Sequence, residues 1–140
     1  MSSIVALDIG DIYIGVAFSE IESGFVFPVK TFKRTNSIKA DVRAVDEELK
    51  KLFAVKVILG NPVNEDSFQF EKNRDFVERL VKRNSSIEFK YIDEKYSSVE
   101  AETELISLDV SRKKRKCVID QLAAVIILER YLNEIEMEKK

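Results

Sequence analysis

The sequence contains no histidine and no tryptophan, one cysteine, two prolines and four glycines in 140 residues. Each scarcity excludes something. Without histidine, the usual zinc sites and histidine acid-base catalysis are closed to this chain. Cys117 stands alone, so no internal disulfide forms. No apolar run approaches the roughly 20 residues that span a bilayer. The chain also enters Ile4 to Leu7 without a basic leader or a small-residue cleavage site. The expectation is a soluble, cytoplasmic protein with no membrane partner. Charge of one sign is lacking too: 23 Lys and Arg against 25 Asp and Glu leave a net charge of −2. The chain as a whole does not attract nucleic acid, so any such attraction must be local.

What remains for acid-base or metal chemistry is carboxylate. At this length the expectation is a single domain, residues 1–140, large enough to bury one substantial core. Ile4-Val5-Ala6-Leu7-Asp8-Ile9-Gly10 reads as a strand buried on both faces, and such strands sit in the middle of a sheet. Asp8 at its far end is costly unless paired, hydrogen-bonded or bound to a metal. Asp and Gly also favour tight turns, so Asp8 either caps the bend into the next strand or serves a site.

Ile12 to Phe18 alternates as a second strand would, which puts Asp8 at the mouth of a hairpin. Phe25 to Phe32 reads as a third strand, and Pro28 places it at an edge. Asn36 or Ser37 caps a helix with apolar positions Ile38, Val42, Val45, Leu49, Leu52 and Phe53. Val55 to Leu59 is a short strand running into the turn-rich stretch 60–66, and a helix follows from about Asp66 to Arg83, with Phe76, Val77, Leu80 and Val81 on one face. Ile87, Phe89 and Tyr91 alternate with Glu88 and Lys90, as in the other edge strand. Ser97 to Glu100 opens another helix with a capping box. Arg112-Lys113-Lys114-Arg115-Lys116 is the one long run of a single sign, and its self-repulsion predicts a solvated, mobile segment. The last helix is expected from about Cys117 to Met137, with Asp120 in its first turn and a frayed end from Glu134.

Three carboxylate positions mark the ends of elements: Asp8, the pair Asp93 and Glu94, and Asp120. Carboxylates gathered from different elements suit hard divalent cations, and a pair of such ions serves phosphodiester hydrolysis. Each also has a structural reading. Asp120 in a first helical turn gains roughly 0.3 to 1 kcal/mol from the macrodipole. Asp93 and Glu94 fit a solvated strand end. The basic run fits an exposed loop, although beside an acidic site it would draw phosphate.

Four blocks carry a resemblance: Val5 to Gly10 with Ile14 to Ala17, Val57 to Asn64, Asp93 to Ala101, and Ile119 to Ala124 with Ile127 and Leu128. Together, in this order, they resemble the YqgF family, described as Holliday junction resolvase-like proteins and as nucleases that mature the small-subunit ribosomal RNA precursor. The resemblance implies an α/β, ribonuclease H-like fold. Its five-stranded mixed sheet joins a three-strand antiparallel meander to two parallel strands, with helices on both faces. It further implies that Asp8, Asp93 or Glu94, and Asp120 converge as catalytic residues. Asp8, Glu94 and Asp120 would be the ligands of Mg²⁺ or Mn²⁺, while Asn64, Lys95 and the run Arg112, Lys113, Lys114, Arg115 and Lys116 would contact substrate.

The sequence departs from the family's pattern in three places. Asp11, Ile12 and Tyr13 follow the first Asp-x-Gly step, where the family has a threonine and then a basic residue. Asn61 and Ser67 stand where leucine and glycine are common, and Lys95 replaces an arginine, which keeps the charge but not the bidentate geometry. The reading is a metal-dependent hydrolase, a two-metal nuclease maturing the 5′ end of pre-16S rRNA in ribosome biogenesis. The alternatives are Holliday junction resolution and a non-catalytic module touching RNA, the ribosome or the transcription machinery. A phosphotransferase of the sugar kinase type also uses Asp-x-Gly but needs two such domains. End trimming suits a monomer, and junction cutting a homodimer.

Overall fold

Four consecutive apolar residues with no polar face can be satisfied only between two layers, and β1 (Ser3–Ile9) lies there, third in a sheet of five. The structure is a computed structural model and describes residues 2–10, 12–21, 23–61, 68–93 and 112–138. Side chains are described at all of these except 61, 68–72, 93, 112–121 and 136–138.

β2 (Tyr13–Glu20) and β3 (Phe27–Lys33) complete an antiparallel meander on one side of β1. On the other side β4 (Ala54–Asn61) and β5 (Glu88–Asp93) run parallel to it, giving the order β3-β2-β1-β4-β5. Pro28 sits on the edge strand as expected. Ala17 pairs with Pro28 and Val16 with Lys30, so Val29 is the extra residue of a bulge. The strand starts two residues later than its alternation suggests. Gly24 turns the chain at φ +72°, the Phe25 N–H donates to Ser23 Oγ, and Phe25 stays in solvent.

α1 (Ile38–Lys51) begins at Ser37, whose hydroxyl accepts from the Ala40 N–H. The buried Asp41 carboxylate accepts from both the N–H and the hydroxyl of Thr35 and holds the approach to this cap. The apolar series was expected to carry the helix through Leu52 and Phe53, but it ends at Lys51. Phe53 takes φ +54° and is 62% exposed, because its carbonyl and that of Leu52 accept from the N–H and hydroxyl of Ser3. Docking of β1 beside the helix end outweighs the ring's burial. α2 (Phe68–Arg83) buries Phe76, Val77 and Leu80, while Val81 is exposed.

α3 (Arg112–Glu138) corrects three expectations. The backbone of Arg112 to Lys116 is its opening turn and not a separate mobile segment. Arginine and lysine are good helix formers. Asp120 therefore lies eight residues past the helix start, in the third turn, beyond the macrodipole's reach. The polar end stays helical to Glu138. The helix expected after Ser97 lies outside the described residues.

The sheet separates two apolar clusters. Val5, Leu7, Val57 and Leu59 pack with α1 and α2, whereas Ala6, Ala17, Ile58 and Ile92 pack with Ala124, Ile127, Leu128 and Tyr131 of α3. Among the described residues no helix is long and apolar enough to cross a membrane.

Candidate active site

Alternation along β1 decides which way its carboxylate points. Ile4 and Ala6 belong to the α3 cluster and Ile9 to the other, so Asp8 projects on the α3 face. It is 3% exposed. Its register partner on β2 is Gly15. On β4, Leu7 pairs with Leu59, so the next residue, Gly60, lies beside Asp8, and Gly60 in turn pairs with Ile92. Glycine has no Cβ, so neither neighbouring strand sets a side chain beside Asp8 at this register. Asp8 is thus a buried carboxylate flanked by glycines on both neighbouring strands.

The residue after Ile92 is Asp93, paired with Asn61. Two inter-strand spacings separate β1 from β5, which puts the Asp93 backbone roughly 10 Å from that of Asp8 at the same end of the sheet. Asp120 lies on α3, eleven residues or roughly 16 Å of helix before Tyr131. The side chains of Asp93 and Asp120 lie outside the described residues, as do Asn64, Glu94 and Lys95 altogether and the side chains of Arg112 to Lys116. Among the described residues no three carboxylate or sulfur ligands cluster.

The turn after Asp8 is held by residues that sequence reasoning did not single out. Asn73 Nδ2 donates to the Ile9 carbonyl at 2.9 Å, and Arg34 Nη1 donates to the Gly10 carbonyl at 3.0 Å and to Asn73 Oδ1 at 3.1 Å. The Arg34 guanidinium lies over the Phe76 ring, 5.4 Å from its centroid. Backbone bonds close the same turn, from Gly10 N–H to Tyr13 O and from Arg34 N–H to Ile12 O. Nothing in the string Phe32-Lys33-Arg34 distinguishes Arg34 from an ordinary solvated cation, so only the fold reveals it. Ile12, in the atypical part of the turn, is exposed.

Other ionic groups hold helices and sheet together away from Asp8. Asp46 of α1 accepts from Asn84, Lys50 and Arg83 at 2.7, 3.0 and 3.1 Å. Burial pushes its pKa up, but these three donors outweigh that and leave it below the ordinary 3.8. Lys56 and Lys90 both stand over the Tyr131 ring, 4.8 and 5.3 Å from its centroid. The Tyr131 hydroxyl, and the Glu88 carboxylate 3.6 Å away, raise the Lys56 pKa.

Sheet order and site together define a ribonuclease H-like fold with an acidic residue closing its central strand. Two solved structures share that fold. The Thermus thermophilus RuvC structure in complex with a Holliday junction substrate matches with a TM-score of 0.63 at 12% identity, covering 96% of each chain. The fowlpox virus resolvase in complex with Holliday junction DNA matches with a TM-score of 0.60 at 16% identity, covering 95% of this chain and 98% of that one. The chain belongs to the RuvX Holliday junction resolvase family, whose model matches residues 2–134. Its relatives include a Clostridioides difficile protein, 43% identical over 133 residues and 93% of each chain. Another, from Caldanaerobacter subterraneus, is 40% identical over 134 residues, 93% of this chain and 95% of that one. Both are named "Putative pre-16S rRNA nuclease". The resemblance read from the four sequence blocks is borne out.

Proposed function

We propose that this chain is a divalent-metal-dependent nuclease that hydrolyses phosphodiester bonds at the 5′ end of pre-16S rRNA. The observation that carries the reading is Asp8: an acid 3% exposed, at the end of the central strand of a RuvX-family chain, with glycines on both sides. Relatives named for pre-16S rRNA favour that substrate. The donor set fits Mg²⁺ or Mn²⁺, because Asp8, Glu94 or Asp93, and Asp120 offer only hard oxygen ligands. When bound, such ions supply an activated water and stabilise the attacking and leaving oxygens.

The chain's own residues divide the remaining work. Asp8, from the rigid centre of the sheet, fixes the position of the site. Asp120 loses its structural explanation, since it lies past the first helical turn, and this favours a ligand role. Of Asp93 and Glu94 we favour Glu94 as the ligand. Asn64, Lys95 and the cations of Arg112 to Lys116 would hold substrate phosphates and supply the local attraction that the net charge lacks. The domain is taken as residues 1–140, working in the cytoplasm as a monomer. The family's name favours a second reading, a homodimer cutting a four-way DNA junction.

The test is cleavage of end-labelled pre-16S rRNA and of a four-way DNA junction by the purified protein with Mg²⁺ or Mn²⁺, beside Asp8→Asn and a chelator control. RNA cutting that needs both the metal and Asp8 is the expected result. Junction cutting alone would select the second reading. Salt-sensitive RNA binding without cutting would leave a non-catalytic module.

A further inference from the structure

We propose that Arg34 and Asn73 are positioning residues that set the Asp8 carboxylate for its divalent cation, an inference that rests on the metal-site reading above. Their side chains reach the two carbonyls that follow Asp8: Asn73 donates to Ile9 O and Arg34 to Gly10 O, while the 3.1 Å bond from Arg34 to Asn73 joins the two into one clamp. Asn73 comes from α2, behind the sheet, and Arg34 lies over Phe76 of the same helix. Asp8 points the other way, toward α3. The clamp therefore fixes the backbone on which Asp8 is carried without occupying the space in front of its carboxylate.

The arrangement is a poor device for stability alone. Arg34 Nη2 is buried and has no hydrogen-bond partner among the described residues. A charged donor stripped of water and left unmatched works against folding. The turn it holds contains Gly10, whose freedom allows the strand end to shift. A ligand displaced by about an ångström loses much of its effect, and groups that orient ligands typically matter about 10- to 100-fold in metal affinity or activity.

Three variants and three readouts test this. Arg34→Met and Asn73→Leu remove the donors at nearly constant volume, and Arg34→Lys keeps a single cationic donor but loses the planar guanidinium over Phe76. Mn²⁺ affinity is measured by calorimetric titration without RNA, thermal midpoint in chelator, and kcat and KM on the pre-16S rRNA substrate. Arg34→Met and Asn73→Leu are expected to weaken Mn²⁺ binding and lower kcat by about tenfold or more. KM should stay within about twofold and the metal-free midpoint should be retained, with Arg34→Lys intermediate. Wild-type Mn²⁺ affinity and kcat in both folded variants would overturn the inference and leave the nuclease reading standing. A raised KM with unchanged kcat would also overturn it, by making Arg34 a substrate contact. Should Arg34→Met fail to fold, Asn73→Leu carries the test. A wild-type protein that neither binds Mn²⁺ nor cuts RNA would remove the metal-site reading itself.

Discussion

Asp8 and Gly15 face each other across β1 and β2, so the residue opposite the carboxylate at the end of the central strand contributes no side chain on that flank. Opposed side chains in an antiparallel pair stand about 5 Å apart at Cβ. Gly15→Val should keep the strand, since valine favours sheets, yet fill the flank. The expected outcome is a folded protein by circular dichroism with cleavage reduced by roughly tenfold or more. Unchanged cleavage would show that this flank is not used.

Asparagine matches the volume of the Asp8 side chain, which is 3% exposed, but carries no charge for a cation. Asp8→Asn is expected to abolish cleavage and, in chelator, to hold or raise the thermal midpoint. A marked fall in that midpoint would point to a structural role for Asp8. Asp120→Asn should likewise abolish cleavage with folding nearly intact, and retained activity would remove Asp120 from the site.

Asp46 links α1 to Arg83 at the end of α2 and to Asn84 just beyond it. Because its pKa is lower in the folded chain than the ordinary 3.8, its contribution is present above that value and is lost as pH falls through the lower folded value. Asp46→Ala should cost about 2 to 3 kcal/mol at pH 7, since a buried donor on Asn84 loses its acceptor. The deficit should shrink below pH 4. Urea unfolding of both proteins at pH 7 and pH 3 measures it, and a deficit independent of pH would contradict the assignment.

Phe53 occupies a left-handed position that glycine normally fills, with its ring 62% exposed. Phe53→Gly relieves a strain of roughly 1 to 2 kcal/mol and gives back part of it to the more flexible unfolded chain. A net gain of about 0.5 to 1 kcal/mol in urea unfolding is expected. A lower midpoint would mean that the ring packs in the native state.

If the opening turn of α3 meets nucleic acid, replacing its five cations with glutamine should weaken RNA binding at low salt. It should also flatten the dependence of log K on log salt by about 2 to 3, near 0.7 for each phosphate no longer neutralised. Filter binding at several salt concentrations reads this directly, and an unchanged slope would release the run from the interface.

Sequence alone determined the elements whose signals are local: the buried run of β1, the proline that keeps β3 at an edge, a cap at Asn36 or Ser37 and the apolar stripe of α2. It also singled out Asp8, because a carboxylate closing a fully apolar strand conflicts with its surroundings in a way that composition already exposes. Tertiary structure decided what depends on partners distant in the chain. Phe53 left the helix because Ser3, fifty residues earlier, takes up the carbonyls at its end. The basic run became helix, and Asp120 moved out of the first turn with it. Arg34 and Asn73 met at the turn after Asp8, though neither carries a local mark of that role. Hydrophobic periodicity and caps act over a few residues and can be read in one dimension. Hydrogen bonds to backbone carbonyls from side chains 24 and 64 residues away depend on the assembled sheet.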